Sequence, residues 1–557
     1  MRKIKTLFII IGILLPTSLL FAQTTVNSDE IVGKILTEED IRHICELDYL
    51  DVDANTFIPH RELRNKDGGG SKRANIQADF VGGWPQEAIN AFEYAMDVWE
   101  SHIDSPIPIR VVANWNRDLG ENTLGSAGPT LIIQLQNEDG LTYYPIALAS
   151  AVSEVDYVAE SQGGPNEVDY DITVNMNANF PSWYFGTDAQ TPSGQWDFVT
   201  VVLHEVGHGL GFTGSVRESG GGSAQMGFGF PVAPIIYDRF VIDGNGNNLT
   251  NRSTYGNPSQ SLFNAVTGSV GGIYFAGLQT IGSYDGSPVP LYDPSEWNQG
   301  SSYSHVDLNT FTGTPDALMR PQISSAFAIH SPGSVVCTIF GDMGWPLGES
   351  CAAETGTESQ IVVHEFETGE IDFGVTNEGK SLSNSVTISN AAGASDPLVA
   401  RIAVSGESSF RTNSQTRFLV LQPGEKQEIP ILFAPSSEGV TTSELVITHN
   451  SQVLENPISL ILKGEALERE TTFILEQNYP NPFNSTTRIP YALSEQANVR
   501  IDVYDALGRH VKTLLDEQQS PGRYNQVLQA NDLSSGLFIY RIMVDGESAT
   551  GKLLYTK

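Results

Sequence analysis

The chain has 557 residues, too many for one hydrophobic core, so three or four domains are expected. Lys and Arg number 31 against 66 Asp and Glu, a net charge of −35, which excludes the basic surface that nucleic-acid binding needs. The same balance suits solubility outside the cell. The first residues, MRKIKTLFIIIGILLPTSLLFAQ, carry early positive charge and then a short apolar run that contains Pro16 and ends after Ala22. That pattern predicts a secretory signal over 1–22, removed on export. No other run approaches the roughly 20 apolar residues of a spanning helix. The mature chain is therefore expected to be secreted or held at the cell surface, with no transmembrane span.

Residues 23–73 are polar, with one short helix predicted near LTEEDIRHICELDYL. They end in NKDGGGSKR, by composition a flexible and cleavable linker, so 23–73 reads as a propeptide-like segment. From Ala74 the character changes. ANIQADFVG reads as a strand, and WPQEAINAFEYAMDVWESHI as an amphipathic helix with Ala88, Phe92, Ala95, Met96 and Trp99 at helical spacing. IPIRVVANW and DYDITVNMNAN read as strands. DFVTVVLHEVGHGLG reads as a helix stopped by glycine, with Val199, Val202, Leu203 and Val206 on its buried side. This order predicts one α+β domain over 74–352.

His204 and His208, four apart on that helix, share one face and suit a zinc ion. Glu205 then stands beside the metal without binding it, placed to take a proton from a zinc-bound water and pass it to a leaving amine. A catalytic zinc needs a third protein ligand. Six residues after His208 stands Gly214, which has no side chain. The candidates further on are Glu218 in a Gly-rich loop, Glu296 in DPSEW, His305 in GSSYSHVD and His330 in FAIHSPGS.

HEVGHGLGF (204–212), a long insertion, SHVD with His305, then DALMRP (316–321) follow one another in the chain. In order and motif this resembles the leishmanolysin-like branch of the metzincin metallopeptidases, over roughly 74–347. The resemblance implies His204, His208 and His305 as zinc ligands, Glu205 as the general base, Met319 in a methionine turn below the metal, and protein or peptide substrates. It departs from the family in having three cysteines where that family has many disulfides. A non-catalytic adhesin that keeps zinc for structure, and a zinc hydrolase of a non-peptide substrate, are the rival readings. Within the insertion, YDRFVIDGNGNNLT reads as a hairpin; its Asp243, Asn245 and Asn247 make a plain turn or, alternatively, a calcium loop.

The remaining sequence is β-rich. Runs such as NSVTISN, KQEIPILFAP, SELVITHN and ISLILKG, separated by Gly, Pro, Ser and Asn, predict a β-sandwich over 358–466. With IDFGVTNEGKSLSNSVTISN it resembles Ig-like modules of the abnormal-spindle and hydin kind, which commonly act as spacers. Residues 470–557 form a second β-rich unit. LEQNYPNPFNSTTRIPYAL, VRIDVYDALGRHVKTL, SSGLFIYRIMV and KLLYTK resemble the type A sorting domain read by the type IX secretion system. That resemblance implies export through the outer membrane and removal of the domain. The expected architecture is thus an α+β metzincin-like domain followed by two all-β sandwiches. Cys337 and Cys351, fourteen residues apart, are expected to pair. Cys45 is left alone in RHICELD. It is either a buried thiol or, as in some metzincins, a cap on the zinc whose loss relieves latency; on that reading Cys45→Ser activates the uncut chain.

Overall fold

A computed structural model describes residues 32–557 apart from 46, 60–72, 138–139, 230–231, 356–358, 365–368, 413–417, 452, 455, 468–472, 494–495 and 521. The signal sequence expected over 1–22 lies outside the described residues. Among those described, no helix is long and apolar enough to cross a membrane. The chain is multidomain and mostly β.

The first unit is built on a six-stranded sheet. Its spatial order is Gln322–Ile329, Leu47–Ile58, Thr123–Pro129, Ile172–Asn177, Ile109–Asn116, Ile76–Val81. The last three run parallel, and Thr123–Pro129 is antiparallel to both its neighbours. Helix Gln86–His102 buries Ala88, Phe92, Ala95, Met96 and Trp99, as their spacing predicts. It packs on helix Phe198–Leu210, with the Trp99 indole donating to the Leu203 carbonyl at 3.1 Å. Asp197 starts the second helix by accepting from Thr200 N at 2.8 Å, and Gly211, at φ 126°, ends it in a conformation that glycine adopts freely. All 13 residues of that helix are buried. One-sided burial was the expectation; instead the helix is interior all round.

The N-terminal segment differs more from its reading as a polar appendage with one short helix. The helix exists, Glu38–Ile44, capped by Thr37 and Asp40. Beyond it, Leu47–Ile58 enters the sheet as an interior strand, parallel to Gln322–Ile329 and antiparallel to Thr123–Pro129. Gly33–Ile35 also pairs with Leu131–Asn137. The core of the first unit accordingly runs from Leu36 to Trp345.

The insertion after the site helix is folded. It holds a hairpin, Val216–Gly220 with Ser223–Met226, and a small sheet of Val241–Asp243, Ile273–Phe275 and Val289–Pro290. The turn after Asp243 is there, with Asp243 N donating to Asn247 O at 2.9 Å. Asp243 Oδ1 accepts from Asn245 N and Asn247 N, and Oδ2 from Asn247 Nδ2 and Tyr255 Oη. These bonds are those of the plain turn that the sequence predicts.

Two β-sandwiches follow. The first packs a four-stranded sheet on a five-stranded one, around Val386, Ile388, Ile431, Phe433, Leu445 and Leu460. The second packs a three-stranded sheet on a four-stranded one, around Ile489, Ile501, Val503, Tyr540 and Ile542. The first sandwich also docks on the insertion, where Ile242, Ala276 and Ile281 share a buried cluster with Val399. Cys337 and Cys351 form a disulfide that ties helix Gly333–Met343 to Glu349–Thr355. Replacing both cysteines by serine is expected to lower unfolding free energy by about 3 kcal/mol, read from urea denaturation; an unchanged midpoint would contradict it.

Candidate metal centre

Three imidazoles converge at the centre of the first unit. The Nε2 atoms of His204 and His208 are 3.1 Å apart, and that of His305 is 3.2 Å from each. All three residues are fully buried. Each Nδ1 faces a backbone carbonyl: His204 donates to Leu318 O at 2.8 Å, His208 to Phe212 O at 2.6 Å and His305 to Ser301 O at 2.7 Å. A carbonyl can only accept, so each ring carries its proton on Nδ1 and turns a lone pair inward. Burial drives His204 down to about 4 and, with the neighbouring rings, holds His208 and His305 well below the ordinary histidine range. The rings are therefore neutral at neutral pH, as ligation requires.

Cys45 closes the group. Its Sγ lies 3.7 Å from His204 Nε2 and 3.8 Å from His305 Nε2. The four ligand atoms lie within 4.8 Å of one another, an arrangement that can hold a metal ion. Ordinary Zn–N and Zn–S bonds in a tetrahedron put N···N near ~3.3 Å and S···N near ~3.6 Å. The three N···N edges and the Cys45 edges to His204 and His305 lie close to these lengths. Glu205 is equally buried, with Oε1 4.0 Å from Cys45 Sγ. Gly125 lies against it: a Cβ there would sit 3.1 Å from Glu205 Oε1.

The surroundings explain several sequence features. A side chain at Gly214 would overlap the ring of Tyr303, two residues before His305. Met319 is fully buried, and its sulfur would be 3.0 Å from a Cβ at Gly207 on the site helix. The turn holding Met319 also supplies the Leu318 carbonyl for His204. The other candidate ligands stand elsewhere. Glu218 and Glu296 are exposed. His330 donates to Asp197 at 2.8 Å, a fully buried pair at the start of the site helix.

Asp238 carried no signal in the sequence beyond being one acid in an apolar run. It is fully buried and accepts from Ser215 N, Ser215 Oγ, Ile235 N and Tyr303 Oη. Ser215 leaves the site helix and Tyr303 leads to His305, so Asp238 joins the two halves of the centre. Asp238→Ala strands these donors and is expected to weaken metal binding by about tenfold. Chelator competition on the purified variant checks it, and wild-type affinity would refute the coupling.

The segment bearing Cys45 crosses the centre and continues as the interior strand. Leu47 pairs with Gly125, the residue against Glu205. Further along, Asp53 accepts from Ser193 Oγ, from Gly194 N at 3.1 Å and from Ser325 Oγ at 2.6 Å, which hold its carboxyl below the usual range.

Residues 112–222 match a family described as SPBPB7E8-like, 365–464 match Cep192 domain 4, and 477–556 match the secretion system C-terminal sorting domain. None of these descriptions names a metzincin. No curated protein matches the chain. Among solved structures, the ASH / PapD-like domain of human CEP192 is 14% identical, covers 20% of this chain and 88% of its own, and has a TM-score of 0.17. Latent PorU from Porphyromonas gingivalis is 13% identical, with 33% and 19% covered and a TM-score of 0.15. The I9–I11 tandem of titin is 10% identical, with 35% and 66% covered and a TM-score of 0.21. The family matches give the chain a β module similar to Cep192 domain 4 and a C-terminal sorting domain. The sorting domain implies the type IX machinery as a partner and a destination at the cell surface or outside.

Proposed function

We propose that the chain is a secreted zinc-dependent endopeptidase kept latent by its own N-terminal segment. The observation that carries this reading is the convergence of three neutral imidazoles on one point, with a buried carboxylate beside it. Three lone pairs 3.1–3.2 Å apart, with their Nδ1 protons already committed, repel one another unless a cation sits between them. His204, His208 and His305 would hold that zinc, and Cys45 would fill its fourth position. Zinc supplies a Lewis acid, which acidifies water and polarises a peptide carbonyl.

This chain's residues do the rest. Once Cys45 and its segment withdraw, Glu205 borders the vacated position. It takes a proton from the attacking water and delivers it to the leaving amine. The Nδ1 contacts to Leu318, Phe212 and Ser301 keep the three rings from turning. The place of Glu205 on the interior site helix, against Gly125, keeps its carboxylate aimed at the vacated position.

A second reading has its own support. Four protein ligands also describe a closed structural zinc site, as an adhesin would use. The two readings differ in whether the segment leaves. The test is digestion of a mixed protein library by the chain freed of 23–73, with and without chelator. Chelator-sensitive cleavage supports the peptidase, and no cleavage by the metal-loaded protein supports the adhesin. Metal analysis tests the ligand set: His305→Ala is expected to lose most of its zinc while Glu218→Ala keeps it. Equal zinc in His305→Ala and wild type would remove His305 from the site.

A further inference from the structure

Tyr49 stands four residues after Cys45, on the strand that leaves the centre alongside Gln322–Ile329. Its ring meets Trp196 edge-on at 5.1 Å and lies tilted against Phe180 at 5.4 Å, centroid to centroid. That floor belongs to the rest of the unit. The Trp196 indole donates to Ile323 O at 3.1 Å, and Ile323 is the residue opposite Tyr49 in the parallel register. Phe180 packs on Trp183 at 5.0 Å, whose indole donates to Asn177 O at 3.0 Å. None of these hydrogen bonds uses the segment, so the floor stays built when the segment goes. Leu47, two residues nearer the centre, is fully buried. Leu47 and Tyr49 therefore follow Cys45 at alternate positions and put apolar side chains on one face of the strand.

Removing the segment leaves an open lane between two strand edges, with an aromatic floor facing water. Strand edges take up an extended peptide through main-chain hydrogen bonds, and pockets under alternate side chains then select its sequence. An aromatic floor selects another aromatic ring, because edge-on and tilted contacts add to the area buried.

We propose that Phe180 and Trp196 form a specificity subsite for an aromatic side chain of the substrate. The substrate lies extended in the place of Leu47–Ile58 and in the same direction. Its aromatic residue falls about four positions C-terminal to the residue at the metal. Calling the occupant a substrate rests on the peptidase reading; the pocket as a peptide-binding site does not.

The probe is a synthetic peptide of residues 44–58, added to the chain freed of 23–73 by limited trypsin digestion at the basic residues of 61–73. Binding is followed by tryptophan fluorescence and calorimetry. The native peptide is expected to bind, its Tyr49→Phe form to bind within about threefold, and its Tyr49→Ala form about tenfold more weakly. Cleavable peptides that vary only at the corresponding position should show the same order in kcat/KM. Tyr49→Ala binding as tightly as the native peptide, no binding by any of the three, or cleavage indifferent to the aromatic residue would each overturn the subsite. Binding that depends on the ring, with no peptide ever cut, would uphold the pocket and sink the peptidase reading.

Discussion

Glu205→Gln in the processed chain is expected to keep its zinc and lose peptide hydrolysis by about three to four orders of magnitude. The substitution preserves shape. Glutamine fits the buried space beside Gly125 and leaves the imidazoles and their carbonyl partners undisturbed. What it removes is a base: an amide cannot hold the proton that passes from water to the leaving nitrogen. Metal content and initial rate on a quenched peptide, measured on one preparation, separate the two effects. A rate near wild type would end the assigned mechanism, and a loss of zinc would recast Glu205 as part of the metal scaffold.

Cutting the linker and removing 23–73 is expected to raise the rate by about a thousandfold. A tethered competitor acts at an effective concentration in the millimolar range, so micromolar intrinsic affinity keeps it bound about a thousand times out of a thousand and one. The segment has two holds on the site. One is Cys45 at the ligand cluster, and the other is the strand Leu47–Ile58 between two neighbours. Cys45→Ser releases only the first. The uncut variant is therefore expected to hydrolyse short peptides measurably, but well below the processed form. This modifies the expectation from sequence that the single substitution would activate the chain. Comparing uncut wild type, uncut Cys45→Ser and the processed chain tests it: full activity in the uncut wild type would dismiss latency, and full activity in uncut Cys45→Ser would leave the strand no part in it.

Local pattern and motif made much of this legible. The 3.6-residue spacing in Gln86–His102 and the alternation in Ile172–Asn177 match the buried positions. His305 emerged from the methionine turn that follows it, and the structure brings it to His204 and His208. Long-range pairing stayed hidden. LDYLDVDANTFI carries three acids and an asparagine, so it reads as surface; its place in the sheet comes from main-chain pairing with residues some 270 positions away. Asp238 was invisible for a related reason. Its partners Ser215 and Tyr303 lie far apart in the chain, and no spacing rule connects them. The site helix misled in another way: valines read as one buried stripe, but the small Gly207 and Gly209 admit Met319 and Ile172 on the remaining sides.

The interior position of Leu47–Ile58 also bears on how the protein comes to be made. A chain that begins at residue 74 must close its sheet with Gln322–Ile329 left without its strand partner and with Thr123–Pro129 paired on one side alone, to Ile172–Asn177. Unpaired edges of that kind capture one another in a nascent chain before a core has formed. The segment's interior place would let it act as a template during synthesis, filling the gap while the histidines find each other, and would make it dispensable only once the surrounding packing is complete. Recombinant production of 74–557 should yield aggregates, whereas the same polypeptide obtained by trimming the folded precursor stays in solution. On the peptidase reading, inhibitor and chaperone would then be one stretch of sequence, used at different times in the life of the molecule.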